Sequence, residues 1–69
     1  MNYLGYNINI RGRVWRGDMV EADIAGQDGE HISIADTDSI SAEASAREIV
    51  DYAKHHRATL TDSAWQVLY

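Results

Sequence analysis

Sixty-nine residues, 45% apolar and 25% charged, make one small domain: too apolar for a disordered chain, and too short to build both a core and a deep catalytic cleft. With no Cys there is neither a disulfide framework nor a thiolate metal site, and no basic-then-apolar leader or membrane-length apolar run appears, so a cytoplasmic protein is expected. The net charge of −5 is uneven, +3 over residues 1–17, −9 over 18–51 and +1 over 52–69, so the middle of the chain should repel nucleic acid and attract a basic protein surface.

Residues 2–10 alternate, with Leu4, Tyr6, Ile8 and Ile10 on one face and Tyr3, Gly5, Asn7 and Asn9 on the other, which predicts a half-buried strand. Arg11-Gly12 reads as the turn that follows. A second strand is expected over 13–25, with Val20, Ala22 and Ile24 inward and Glu21 and Asp23 outward. Gly17-Asp18 interrupts it, as a bulge in the favoured reading or as a second turn. Gly26-Gln27-Asp28-Gly29 is a strong turn signal, and 30–35 follows as a third strand with Ile32 and Ile34 inward, closing an antiparallel hairpin.

Residues 41–56 carry the clearest helical period: Ala42, Ala46, Ile49, Val50 and Ala53 share one face, and their small size lets a helix lie close to a sheet. Ser41, or Ser39, is the expected N-cap. Glu43 in the first turn and Lys54, His55, His56 and Arg57 in the last complement the helix dipole, and Glu43 with Arg47 forms an i,i+4 pair. Residues 58–63 read as a link anchored by Leu60. Residues 64–69 place Trp65, Val67 and Tyr69 on one side as a closing strand, with a short helix started by Asp62 or Ser63 as the alternative.

The expected fold is therefore α+β in the order β-β-β-α-β, a small antiparallel sheet of three to four strands with one helix packed on one face. Its core should comprise Leu4, Tyr6, Ile8, Ile10, Val20, Ala22, Ile24, Ile32, Ile34, Ala46, Ile49, Val50, Ala53 and Leu60.

No constellation of residues spells a reaction. His55 and His56 are adjacent and diverge by about 100° on a helix, so they do not chelate together, and His31 lies on another element. No Ser sits in a nucleophile elbow, and the glycines are spaced as turns and not as a phosphate-cradling loop. Neither a catalytic residue nor a cofactor or metal is expected. Arg11, Arg13 and Arg16 interleave with Trp15, but in an acidic chain they should pair with its own carboxylates or decorate an interface. The i,i+2 acids Glu21/Asp23, Asp28/Glu30 and Asp36/Asp38 each share a strand face and could form a ridge. Tyr3, Trp15, Trp65 and Tyr69 are more aromatic surface than so short a chain can bury, so some should reach an interface.

Two resemblances follow from these features. Tyr3-Leu4-Gly5-Tyr6, two further strands and the lead Asp38-Ser39-Ile40-Ser41-Ala42-Glu43-Ala44 into a helix resemble the HicB-type antitoxin domain, although the helix ends Val50-Asp51-Tyr52 where that family has Asp-Asp-Tyr. This resemblance implies a module that neutralises a small ribonuclease toxin. The small size, acidity, lack of Cys and α/β layout of the whole chain are similar to those of phage-encoded anti-CRISPR proteins. That resemblance implies a non-enzymatic inhibitor, monomeric or homodimeric, acting in the host cytoplasm. It would dock on a Cas subunit or surveillance complex, bind neither nucleic acid nor membrane, and set its acids against Lys and Arg that hold DNA phosphates. Asp18, Glu21, Asp23, Asp28, Glu30, Asp36 and Asp38 are the candidate partner-binding residues.

Overall fold

The first ten residues make two strands, not one. In the computed structural model, which describes residues 1–13 and 19–69 without the Arg13 side chain, β1 (Asn2–Tyr3) pairs antiparallel with β2 (Tyr6–Arg13). Leu4 and Gly5 join them with φ of 52° and 87°, the two positive angles of a type I′ hairpin turn. The Asn2 side-chain oxygen accepts the Gly5 N–H at 3.2 Å and steadies the turn. Leu4 consequently stands at a hairpin tip, 50% exposed, and is not part of the core. Arg11-Gly12 is not a turn either: both residues lie inside β2, where the register shifts between Arg11 and Arg13 as at a β-bulge. The expectations for Val14, Trp15, Arg16, Gly17 and Asp18, including the bulge or turn at Gly17-Asp18, lie outside the described residues.

β3 (Val20–Ala25) pairs with β2, and β4 (His31–Asp36) pairs with β3, all antiparallel, so the sheet order repeats the chain order. The turn between β3 and β4 forms where its glycines place it: the Gly26 N–H donates to the Glu30 carbonyl at 2.8 Å, and Gly29 takes φ of 83°. Register lines up Ile8, Ile24 and Ile32 in one row and Ile10, Ala22 and Ile34 in the next, giving the sheet one apolar face.

That face is covered by α1 (Ser39–His56), whose Ala42, Ala46, Ile49, Val50 and Ala53 are all buried. The N-cap is Asp38 and neither Ser, for its carboxylate accepts the Ser41 N–H at 2.7 Å. Because the helix starts at Ser39, Glu43 falls beyond the first turn, which holds no acid; its ion pair with Arg47 forms at 3.6 Å. Lys54, His55 and His56 occupy the last turn, and Arg57 closes the helix in the left-handed region at φ of 52°.

Residues 64–69 do not form a closing strand. The short-helix alternative holds, as α2 (Leu60–Leu68), capped by Thr59, whose hydroxyl accepts the Asp62 N–H at 3.1 Å, and not started by Asp62 or Ser63. Leu60 and Ser63 are buried, with Ala64 and Val67 packed partly against the core, so the inward positions recur at helical spacing. The fold is thus α+β, with a four-stranded antiparallel sheet whose fourth strand comes from the division of the first. Ile8, Ile24, Ile49 and Leu60 are its largest fully buried apolar side chains, each stabilising the fold by about 1.5–3 kcal/mol. Tyr6, Ile10, Ile32 and Ile34 pack around them half-buried. No helix of the described residues is long and apolar enough to cross a membrane.

Candidate functional site

The same register that turns the isoleucines toward α1 turns Asn9, Asp23 and Ser33, and beside them Arg11, Glu21 and Ala35, to the opposite face of the sheet. This open face carries two of the candidate acids, Glu21 and Asp23. Asp23 lies near its centre and is only 9% exposed. The Ser33 hydroxyl donates to its Oδ1 at 2.6 Å and the Arg11 Nε to its Oδ2 at 2.8 Å. The Ser33 bond is the main cause that holds the Asp23 carboxyl below the usual carboxylate range; burial opposes it, and Glu21, Arg11 and His31 add to the lowering. Arg11 also approaches Glu21 at 3.9 Å, as expected for an Arg that pairs with the chain's own acids.

The other candidates separate. Asp28 stands exposed at the tip of the β3–β4 turn. Glu30, two residues on, is half-buried, and its Oε2 accepts the Leu60 N–H at 2.7 Å, so it caps α2 alongside Thr59. At the far end of β4, Asp36 accepts the Thr37 N–H at 2.7 Å and, more distantly, the Ser45 hydroxyl at 3.4 Å, while Asp38 caps α1. Glu21 and Asp23 therefore share the open face of β3, Asp28 stands apart at the turn beside the end of α1, and Glu30, Asp36 and Asp38 are tied to helix starts and turns. Asp18 lies outside the described residues.

Beside Asp28 an open cleft of about 430 Å³ runs between the β3–β4 turn and the end of α1, with Tyr6, Glu30, Lys54 and Arg57 in its walls. Its charges are mixed and solvated, which suits ionic contact with another surface more than enclosure of a small molecule. Among the described residues no group of three His, Asp or Glu side chains is placed to hold a metal ion.

A third surface lies along β4 and α2. Trp65 is 60% exposed and Tyr69 87%, their rings 4.7 Å apart, and with Ile32, Ile34, Ala64 and Leu68 they border an apolar groove of about 230 Å³. The surplus of aromatic residues signals such a surface in the sequence; that β4 is an edge strand beside it is not visible there. No family model, curated protein or solved structure matches the chain.

Proposed function

We propose that this chain is a non-enzymatic inhibitor that binds a protein with a basic surface, meeting its Lys and Arg through Glu21, Asp23 and Asp28. In the form implied by the resemblance to anti-CRISPR proteins, the partner is a Cas subunit or surveillance complex, and the bound acids stand where DNA phosphates would lie. The observation that supports this reading is the setting of Asp23. Its carboxylate is oriented and its pKa lowered by Ser33, on a sheet face that it shares with Asn9, Arg11 and Glu21 and that no helix covers. A fixed anion on an open face loses little freedom on binding, and complementary charge speeds encounter and selects the partner. Arg11 sits on one side of that carboxylate with its own side chain half-exposed, so an incoming guanidinium can share or replace it.

The test is capture from a bacterial lysate carrying CRISPR systems, with the tagged chain as bait and mass spectrometry as readout. Glu21→Lys with Asp28→Lys is the informative variant, because neither residue caps a helix. The expected result is a Cas subunit eluted by salt from the wild type and absent from the variant, with an unchanged circular dichroism spectrum. Full inhibition by the double variant would sink the electrostatic reading. Recovery of a small ribonuclease would replace it with the antitoxin reading.

A further inference from the structure

The two edges of the sheet are built differently. On one side β1 is two residues long, and the part of β2 beyond it carries Arg11, Arg13 and the register shift at Gly12. Short strands, charges and bulges are the devices by which an edge refuses another strand. On the other side β4 runs six residues in unbroken register with β3, and from Ile32 to Ala35 it has no charge, no proline and no bulge. Alongside it α2 turns out Thr61, Trp65 and Leu68 at helical spacing, with Tyr69 stacked on Trp65.

We propose that this edge pairs with a second copy of the same chain, β4 against β4 in antiparallel register about a two-fold axis at Ser33. Residues paired across an antiparallel ladder share a face, so such an axis must pass through a residue position and not between two. Centred on Ser33, it sets Ile32 of each copy against Ile34 of the other and continues the apolar rows Ile8–Ile24–Ile32 and Ile10–Ala22–Ile34 across the junction. Centred on Ile34, it would set Ile32 against Asp36. The Ser33 register brings Asp36 opposite Glu30 of the second copy, but each of these carboxylates is already bonded within its own chain, to Ser45 and to the Leu60 N–H.

Charge and area support a second copy as the occupant. A chain of net charge −5 repels itself, yet the eight residues that line the groove, three on β4 and five on α2 and its C-cap, include no acid and no base. Contact along the groove itself brings no like charges together; the carboxylates that do meet, Asp36 and Glu30, lie at the two ends of the paired strands. Trp and Tyr each offer some 150–250 Å² to bury, so two such pairs, two Leu68 side chains and two strand edges reach about 1,000 Å² in all, the lower bound of a specific interface. The result is a continuous eight-stranded sheet with the two α2 helices facing each other across the axis. Because the β1/β2 edge is blunted, association closes at two copies and does not continue into fibres.

The proposal is independent of the acidic-face reading, and its Trp65 and Tyr69 variants leave Glu21, Asp23 and Asp28 in place. Sedimentation equilibrium of the whole chain should give twice 7.7 kDa. Trp65→Lys with Tyr69→Lys, both at exposed positions, should weaken the dimer at least about tenfold with the circular dichroism spectrum retained. In this Cys-free chain, Ser33→Cys should form an intermolecular disulfide on mild oxidation, since the axis places the two thiols opposite each other. Ala35→Cys should not, being about 13 Å from its counterpart in that register. A wild type that stays at 7.7 kDa into the millimolar range overturns the proposal, as does a dimer that survives the double Lys variant or cross-links equally well through position 35.

Discussion

Glu30 and Leu60 stand 30 residues apart in the chain and meet at 2.7 Å, the carboxylate of one accepting the backbone N–H of the other. The contact joins the β3–β4 turn to the first residue of α2, where a negative charge also opposes the positive end of the helix dipole. Replacing the carboxylate leaves a partly buried N–H unpaired. Glu30→Ala is expected to cost about 1–2 kcal/mol, and Glu30→Gln less, because the amide oxygen still accepts. Urea unfolding of the two variants against wild type measures both.

Ser33 governs the charge on Asp23. A carboxylate whose folded pKa is depressed contributes stability above its unfolded pKa and loses it as pH falls through the folded value. Ser33→Ala removes the largest lowering influence, so Asp23 should protonate at higher pH. At neutral pH the variant should be less stable by about 1 kcal/mol, and the gap should close once both proteins are fully protonated in acid. Carboxyl NMR titration and urea midpoints against pH report the two effects separately.

Leu4 is the wrong residue for its backbone. At φ of 52° an L side chain is strained, and half of this one is in water, so little packing offsets the strain. Leu4→Asn creates Asn-Gly, the pair favoured by a type I′ turn, and should raise stability by about 0.5–1 kcal/mol. Gly5→Ala should act in the opposite sense, since its φ is 87° and a Cβ there would lie 3.1 Å from the Gln27 amide nitrogen. Thermal unfolding of the two variants should shift in opposite directions.

The Tyr3 hydroxyl donates to Asp51 at 2.9 Å and so links β1 to α1. That bond is the first cause of the raised Tyr3 pKa; slight burial and the Asp51 charge add to it, while Arg47, over the ring at 5.6 Å, works against it. The link is complete below the unfolded tyrosine pKa and is lost as pH rises through the folded one. Asp51→Asn should bring the Tyr3 titration down toward the ordinary tyrosine value, read by NMR of the ring resonances.

The parts of the fold that were legible in the sequence are those where period and burial coincide: the face of α1, the rows of β3 and β4, and the turn with Gly at both ends. The Leu4-Gly5 turn was hidden because the alternation runs straight through it, whereas the hairpin pairs Tyr3 with Tyr6 and so brings to one face, against the core, two residues that a single strand would set on opposite faces. Gly12 looked like a turn because a bulge and a turn both favour glycine. At the end of the chain Trp65, Val67 and Tyr69 mimic a strand, while the residues that decide the packing, Leu60, Ala64 and Val67, keep helical spacing. The acids were the least legible. Nothing in the local sequence distinguishes Asp28, free at a turn tip, from Glu30, whose hydrogen-bond partner lies half a chain away.

A sheet whose strands lie in chain order is also a statement about how the chain folds. β1 to β4 form a meander of successive neighbours, and α1 follows directly to cover it, so each element meets a partner already close along the chain. Loop closure is then inexpensive at every step, and with no proline in the sequence no slow peptide isomerisation stands in the way. Refolding should run as a single phase faster than that of an all-β domain of equal size. Docking of α1 against β1, which brings Asp51 to Tyr3 across 48 residues, is the longest search in it.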